Sequence, residues 1–220
     1  MSALHGTDAV GASMAENVVD RLARLRVLPV ATLDASVAQQ VGATLVKAGL
    51  PCIEITFRAD GAAEAIREAS RVDGLLVGAG TVLSPEQARA AVQAGAAFGV
   101  APGLSEDVVA ACREERLPFF PGVATPTEIE RARRMRLRTL KVFPVSSLGG
   151  VPFLRAVSAT YPDVRFIPTG GIDASSLKQY LALPSVLACG GSWLVNDRVV
   201  RDRAFDELAT RAREAVELTT

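Results

Sequence analysis

What most constrains the fold of this chain is an alternation: apolar runs of four to six residues recur along it, separated by longer stretches with helical spacing. Strands are predicted over residues 27–32, 52–56, 74–79, 97–101, 118–122, 139–143, 165–168 and 186–190. Helices are predicted over 15–25, ahead of the first strand, and over 35–48, 62–71, 85–94, 106–115, 127–135, 150–159 and 174–183; a last one, capped by Asp202, should run to about Leu218. A strand that follows a helical crossover lies parallel to the strand before it. Most of these helices have Ser, Thr or Asp near the start, where a side-chain oxygen satisfies a free backbone N–H. In Leu83-Ser84-Pro85-Glu86, Ser takes the N-cap and Pro the first helical position, while Gly49 and Gly95 stand just past helices.

Strands and helices in this order fit a closed barrel or an open, doubly wound sheet. An open dinucleotide-binding sheet needs a glycine-rich turn after its first strand, and Leu28-Pro29-Val30-Ala31-Thr32-Leu33-Asp34 has no glycine. The expectation is therefore an α/β protein of one domain: a leader at residues 1–13, then a single (β/α)8 TIM barrel over 14–220 with an extra N-terminal helix. A length of 220 residues suits one such barrel.

Charge and composition argue against several function classes. Basic and acidic residues number 24 each, so no nucleic-acid partner is expected. No run reaches the roughly 18 apolar residues of a membrane span, and no signal-peptide pattern opens the chain, so the expected location is cytoplasmic. Cys52, Cys112 and Cys189 are scattered, without the paired spacing of a zinc or redox site. The single histidine, His5, lies in the leader; neither a metal site nor imidazole catalysis is expected, and no cofactor.

Only Lys47, Lys141 and Lys178 are lysines, and one of them stands in an apolar strand. Alternate residues of Thr139-Leu140-Lys141-Val142-Phe143 share a face; Leu140 and Val142 would pack on helices, which turns Lys141 into the barrel. Lys47 and Lys178 fall on helices and should be solvated. In Cys52-Ile53-Glu54-Ile55-Thr56-Phe57-Arg58 the same alternation turns Glu54 inward. Two readings stay open. The inward pair could be a structural ion pair, or an amine deprived of water, with more of it neutral, could attack a carbonyl while the carboxylate moves protons. Arg58 lies just past the C-terminal end of its strand, where barrel enzymes assemble their sites, and its planar fork suits a substrate carboxylate. Taken alone, Arg58 is equally an ordinary surface charge.

Glycine-bearing turns follow three strands: Gly78-Ala79-Gly80-Thr81, Thr169-Gly170-Gly171-Ile172 and Gly190-Gly191-Ser192-Trp193. The last two follow strands seven and eight, where barrels often bind phosphate through backbone amides, and Ser192 adds a hydroxyl donor. Each could also be no more than a tight turn. Thr81, after strand three, is assigned to the opposite, carboxylate end.

Together these segments, with Ala101-Pro102-Gly103-Leu104 and Leu140-Lys141-Val142-Phe143-Pro144, resemble the 2-keto-3-deoxy-6-phosphogluconate (KDPG) and 4-hydroxy-2-oxoglutarate (KHG) aldolase family from about Leu28 to Leu218. The resemblance implies a Schiff-base lysine at Lys141, a proton-transferring carboxylate at Glu54, and Arg58 with Thr81 around the keto acid carboxylate. It further implies that Gly170, Gly171, Gly191 and Ser192 hold the substrate phosphate and that Thr169, Phe143 and Pro102 shape the pocket. The implied substrate is a phosphorylated keto acid of the Entner-Doudoroff route, and the implied assembly is a homotrimer. Val142 and the stretch from Val145 to Ser147 depart from the family pattern, which leaves sugar-acid selectivity open. Competing readings are an aldolase for 4-hydroxy-2-oxoglutarate or the galactose-configured sugar acid, a phosphosugar isomerase or epimerase, and a non-catalytic phosphate-ligand binder.

Overall fold

In the computed structural model, which describes residues 17–219, the chain starts with a helix, α1, at residues 17–25. Then follow β1 (Val27–Ala31), α2 (Ala35–Lys47), β2 (Cys52–Thr56), α3 (Ala62–Ser70), β3 (Leu76–Gly80), α4 (Pro85–Gln93), β4 (Phe98–Val100) and α5 (Glu106–Glu114). The second half contains β5 (Phe119–Phe120), β6 (Gly122–Val123), α6 (Pro126–Arg134), β7 (Thr139–Val142), α7 (Gly150–Thr160), β8 (Arg165–Pro168), α8 (Leu177–Leu181), β9 (Cys189–Gly191), α9 (Asp197–Arg201) and α10 (Phe205–Glu217). The expected leader, His5 and the first two residues of the helix expected at 15–25 lie outside the described residues.

The strand pairings are parallel, as the crossovers require. One ring of eight strands was expected; regular pairing is instead divided between a sheet of order β5-β4-β3-β2-β1-β9 and one of order β6-β7-β8. The physical reason at one seam is Pro121, which separates β5 from β6 and has no N–H to give to a ladder. At the other seam β8 meets the last strand region only through isolated bridges, Phe166 with Val186 and Thr169 with Gly190.

Other differences are local. The third strand begins at Leu76 rather than Gly74, because Gly74 turns the chain at a left-handed φ of 80°. The helix expected over 174–183 shrinks to Leu177–Leu181, since Asp173 Oδ1 accepts from Ser176 N at 3.0 Å and Ser175 Oγ at 2.7 Å and holds the preceding residues in a turn. Asp202 does not cap the last helix. It ends α9, which Asn196 nucleates by accepting from Val199 N, and Arg203 at φ 51° redirects the chain into α10. Ser84 caps α4 as expected, accepting from Gln87 N at 3.3 Å, and Thr125 with Glu128 forms a reciprocal capping box on α6. Asp34 and Ser105 occupy N-caps without a side-chain bond.

Leu140 and Val142 are wholly buried, as are Ile53, Ile55 and Phe166, so the strand faces opposite the site residues pack against helices. Each such side chain contributes roughly 1.5–3 kcal/mol by leaving water. Gly78 on β3 makes room for Phe98 on β4: a Cβ there would stand 2.2 Å from the ring. The helix at 17–25 buries Val18 and Leu22 against this core. No described helix is long and apolar enough to cross a membrane.

Candidate active site

Lys141 on β7 and Glu54 on β2, 87 residues apart in sequence, meet at 3.2 Å from Nζ to Oε1. They are 5% and 1% exposed, so both inward expectations are met and the amine and the carboxyl face each other out of water. Glu54 Oε2 is buried with no hydrogen-bond partner. An acceptor in that position is costly to a structure that uses the carboxylate only as a counter-ion. Lys47 and Lys178 are exposed, as expected.

Three glycines shape the surroundings: Gly80 and Gly190, expected only as parts of turns, and Gly122, which the sequence reading did not single out. Gly80 ends β3 beside Glu54: a Cβ at Gly80 would lie 2.3 Å from Oε1 and 2.6 Å from Cγ of Glu54, so the carboxylate occupies the space a side chain would need. Gly122 pairs with Lys141 across the β6–β7 ladder. A Cβ there would stand 2.0 Å from the Pro102 carbonyl oxygen, so its bare backbone lets the Pro102 loop settle against the lysine strand. Gly190 likewise leaves room for Thr169, whose Oγ1 would be 2.3 Å from a Cβ. The available signal was a glycine inside an apolar strand, which marks close approach.

A cleft of about 370 Å3 opens above Lys141 at the C-terminal ends of the strands. Arg58, Thr81 and Pro102 line it from the loops after β2, β3 and β4, Phe143, Thr169, Gly170 and Gly171 from those after β7 and β8, and Gly191 and Ser192 from the end of β9 and just beyond it. Of the residues singled out in the sequence as site residues, all but Glu54 line this cleft, and Glu54 joins them through its contact with Lys141. Val30 and Ile172 line the cleft as well and went unnoticed, because nothing separates an apolar lining residue from an apolar core residue in sequence. The Phe143 ring lies 5.6 Å from Lys141 Nζ and is partly open to solvent. Arg58 is exposed at the rim and also borders a neighbouring cleft with Thr32 and Asp34.

Thr81 adopts φ 56°, in the left-handed region that a β-branched residue rarely enters. Such a conformation costs on the order of 1–3 kcal/mol and persists where the surroundings enforce it, commonly at functional sites. The glycine turns at Gly170 (φ 98°) and Gly171 (φ 78°) need glycine for the same reason. The three cysteines are buried, and desolvation pushes each thiol up to about 12, far from a reactive thiolate. Among the described residues no group of three or more His, Cys, Asp or Glu side chains is placed to hold a metal.

Comparison with known proteins places the chain in a family. The family model described as KDPG and KHG aldolase matches residues 18–210. The chain is 39% identical over 206 residues to the 2-dehydro-3-deoxy-phosphogluconate aldolase of Haemophilus influenzae, spanning 92% of this chain and 97% of that protein. It is 41% identical over 203 residues to the enzyme of the same name from Treponema pallidum, spanning 91% and 97%. Among solved structures, the KDPG aldolase of Legionella pneumophila, with pyruvate captured as a covalent carbinolamine, superposes with a TM-score of 0.84 at 32% identity, covering 88% of this chain and 95% of that one. With a family match over most of its length and relatives near 40% identity, this chain belongs to the KDPG and KHG aldolase family.

Proposed function

We propose that the chain is a metal-independent class I aldolase that cleaves 2-dehydro-3-deoxy-6-phosphogluconate to pyruvate and glyceraldehyde 3-phosphate, with Lys141 as the Schiff-base nucleophile. The observation that carries this reading is the buried Lys141–Glu54 contact at 3.2 Å at the base of the cleft. Glu54 is in place to take the ammonium proton and release the neutral amine. Nζ then attacks the C2 ketone, and Glu54 returns its proton to the carbinolamine hydroxyl, which leaves as water and gives an iminium with Glu54 again ionised. Glu54, through its unpartnered Oε2, takes the proton of the C4 hydroxyl directly or through water. The C3–C4 bond breaks, its electron pair flows into the iminium to form an enamine, and glyceraldehyde 3-phosphate leaves. Protonation of the enamine at C3 and hydrolysis of the imine return pyruvate and free Lys141.

In this scheme Arg58 and Thr81 hold the keto acid carboxylate, Gly170, Gly171, Gly191 and Ser192 hold the phosphate, and Thr169, Phe143 and Pro102 shape the pocket. Their common lining of one cleft supports these roles. The proposal includes one domain with the two sheets as a single (β/α)8 barrel preceded by an extra helix; the interruption by a lone proline and the bridges from β8 support it. The family resemblance supports a homotrimer, and the lack of a signal-peptide pattern in the sequence supports a cytoplasmic location; light scattering of the purified protein tests the trimer.

Sodium borohydride with pyruvate should leave a reduced adduct on Lys141 in a peptide mass spectrum, and a coupled assay should detect pyruvate release from the phosphorylated substrate. An adduct on Lys47 or Lys178, or none, refutes the nucleophile. Relative rates on the gluconate-derived, galactonate-derived and 4-hydroxy-2-oxoglutarate substrates decide which sugar acid is preferred.

A further inference from the structure

The phosphate end of the cleft has no charged side chain: Thr169, Gly170, Gly171, Ile172, Gly191 and Ser192 line it. An anion there must be met by hydroxyls and backbone N–H groups, whose orientation then decides affinity. That orientation is set from outside the cleft. The Ser146 N–H donates to the Gly170 carbonyl at 3.1 Å, and its hydroxyl donates to the Gly171 carbonyl at 3.0 Å. Ser146 itself is exposed and does not line the cleft. In a planar trans peptide the carbonyl and the following N–H point in opposite directions. Drawing the Gly170 and Gly171 carbonyls toward Ser146 therefore turns the N–H groups of Gly171 and Ile172 the other way. Neither N–H donates to any group of the described chain, and a backbone donor without a partner is a ready receptor for an anion. The approach is close enough to need glycine, since a Cβ at Gly171 would stand 2.4 Å from Ser146 Oγ.

We propose that Ser146 is a positioning residue for anion recognition: through its two hydrogen bonds it holds the amides of Gly171 and Ile172 toward the cleft as a receptor for a phosphate monoester. This rests on the reading of that end as the phosphate site, and it assigns a purpose to the segment after the lysine strand that departs from the family pattern. Val145 N–H, donating to the Thr169 carbonyl at 2.9 Å, keeps the two loops docked when the Ser146 hydroxyl is removed.

Ser146→Ala deletes only the hydroxyl bond. Loss of an orienting hydrogen bond of about 1 kcal/mol corresponds to roughly a fivefold weakening. Calorimetry with inorganic phosphate should show that weakening, kcat/KM on the phosphorylated keto acid should fall by a similar factor through KM, and kcat/KM on its unphosphorylated counterpart should stay within twofold. Ser146→Thr, which retains the hydroxyl, should restore phosphate affinity. Equal loss on both substrates, or unchanged phosphate affinity in Ser146→Ala, overturns the positioning role. Phosphate binding is read without turnover, so the result stands even if the wild-type protein releases no pyruvate, an outcome that would refute the aldolase reading separately. A wild-type protein that binds no phosphate overturns the receptor itself.

Discussion

Replacing Gly80 by alanine tests whether the position of Glu54, and not merely its presence, sets the rate. Gly80 does not adopt a left-handed φ, so alanine is tolerated by the backbone. The added methyl would stand 2.3 Å from Oε1, 2.6 Å from Cγ and 2.8 Å from Cδ of Glu54. Nonbonded contacts between carbon atoms are most favourable at about 3.5–4.0 Å, so the carboxylate must retreat by roughly 1 Å. Glu54 is 1% exposed, so close packing resists that shift, and moving Oε1 by this much disturbs the 3.2 Å contact with Lys141. A misplacement of about 1 Å costs on the order of 100-fold in rate, and overpacking of this kind costs about 1–3 kcal/mol of stability. The expected result in the coupled pyruvate assay is a kcat lower by about that factor. Borohydride trapping of pyruvate should still label Lys141, and the melting temperature should fall by several degrees. A kcat within twofold of wild type in a folded Gly80→Ala protein would refute the argument that this glycine seats the catalytic carboxylate.

Two further outcomes follow from the packing. Burial raises the thiols of Cys52, Cys112 and Cys189 from 9.0 to about 12, so between these values the unfolded chain releases protons that the folded chain retains, and stability falls as pH rises. At pH 10 each thiol removes about 1.4 kcal/mol relative to neutral pH; the urea midpoint should drop from pH 8 to pH 10, and by less in Cys52→Ala, whereas an equal drop in both proteins would contradict the assignment. Thr125→Ala breaks the capping box on α6 and should cost about 1 kcal/mol, a shift of roughly 2–4 °C in melting temperature with kcat unchanged.

What the sequence determined by itself is largely a matter of period and sidedness. The two-residue alternation of Thr139–Val142 and Cys52–Thr56 alone places Lys141 and Glu54 on inward faces, because adjacent strand residues must point to opposite sides. The cap of α4 was equally legible, since Ser84 and Pro85 act within a single turn of helix. Period and local capping say nothing, however, about distance between segments that are far apart in the chain. Only the tertiary structure brought Glu54 within 3.2 Å of Lys141, and it also filled the Gly80 space with the carboxylate and split the fifth strand at Pro121. Asp202, a plausible cap by composition, lost that position because Asn196 starts an earlier helix and Arg203 turns the chain between the two. Ser146 shows the same limit: its stretch stands out in the sequence only as a departure from the family pattern, and its link to Gly171, 25 residues away, exists only because the loops after β7 and β8 leave adjacent strands side by side. Sidedness is encoded residue by residue, whereas the contacts that make a site depend on strand register and on close packing between segments distant in the chain.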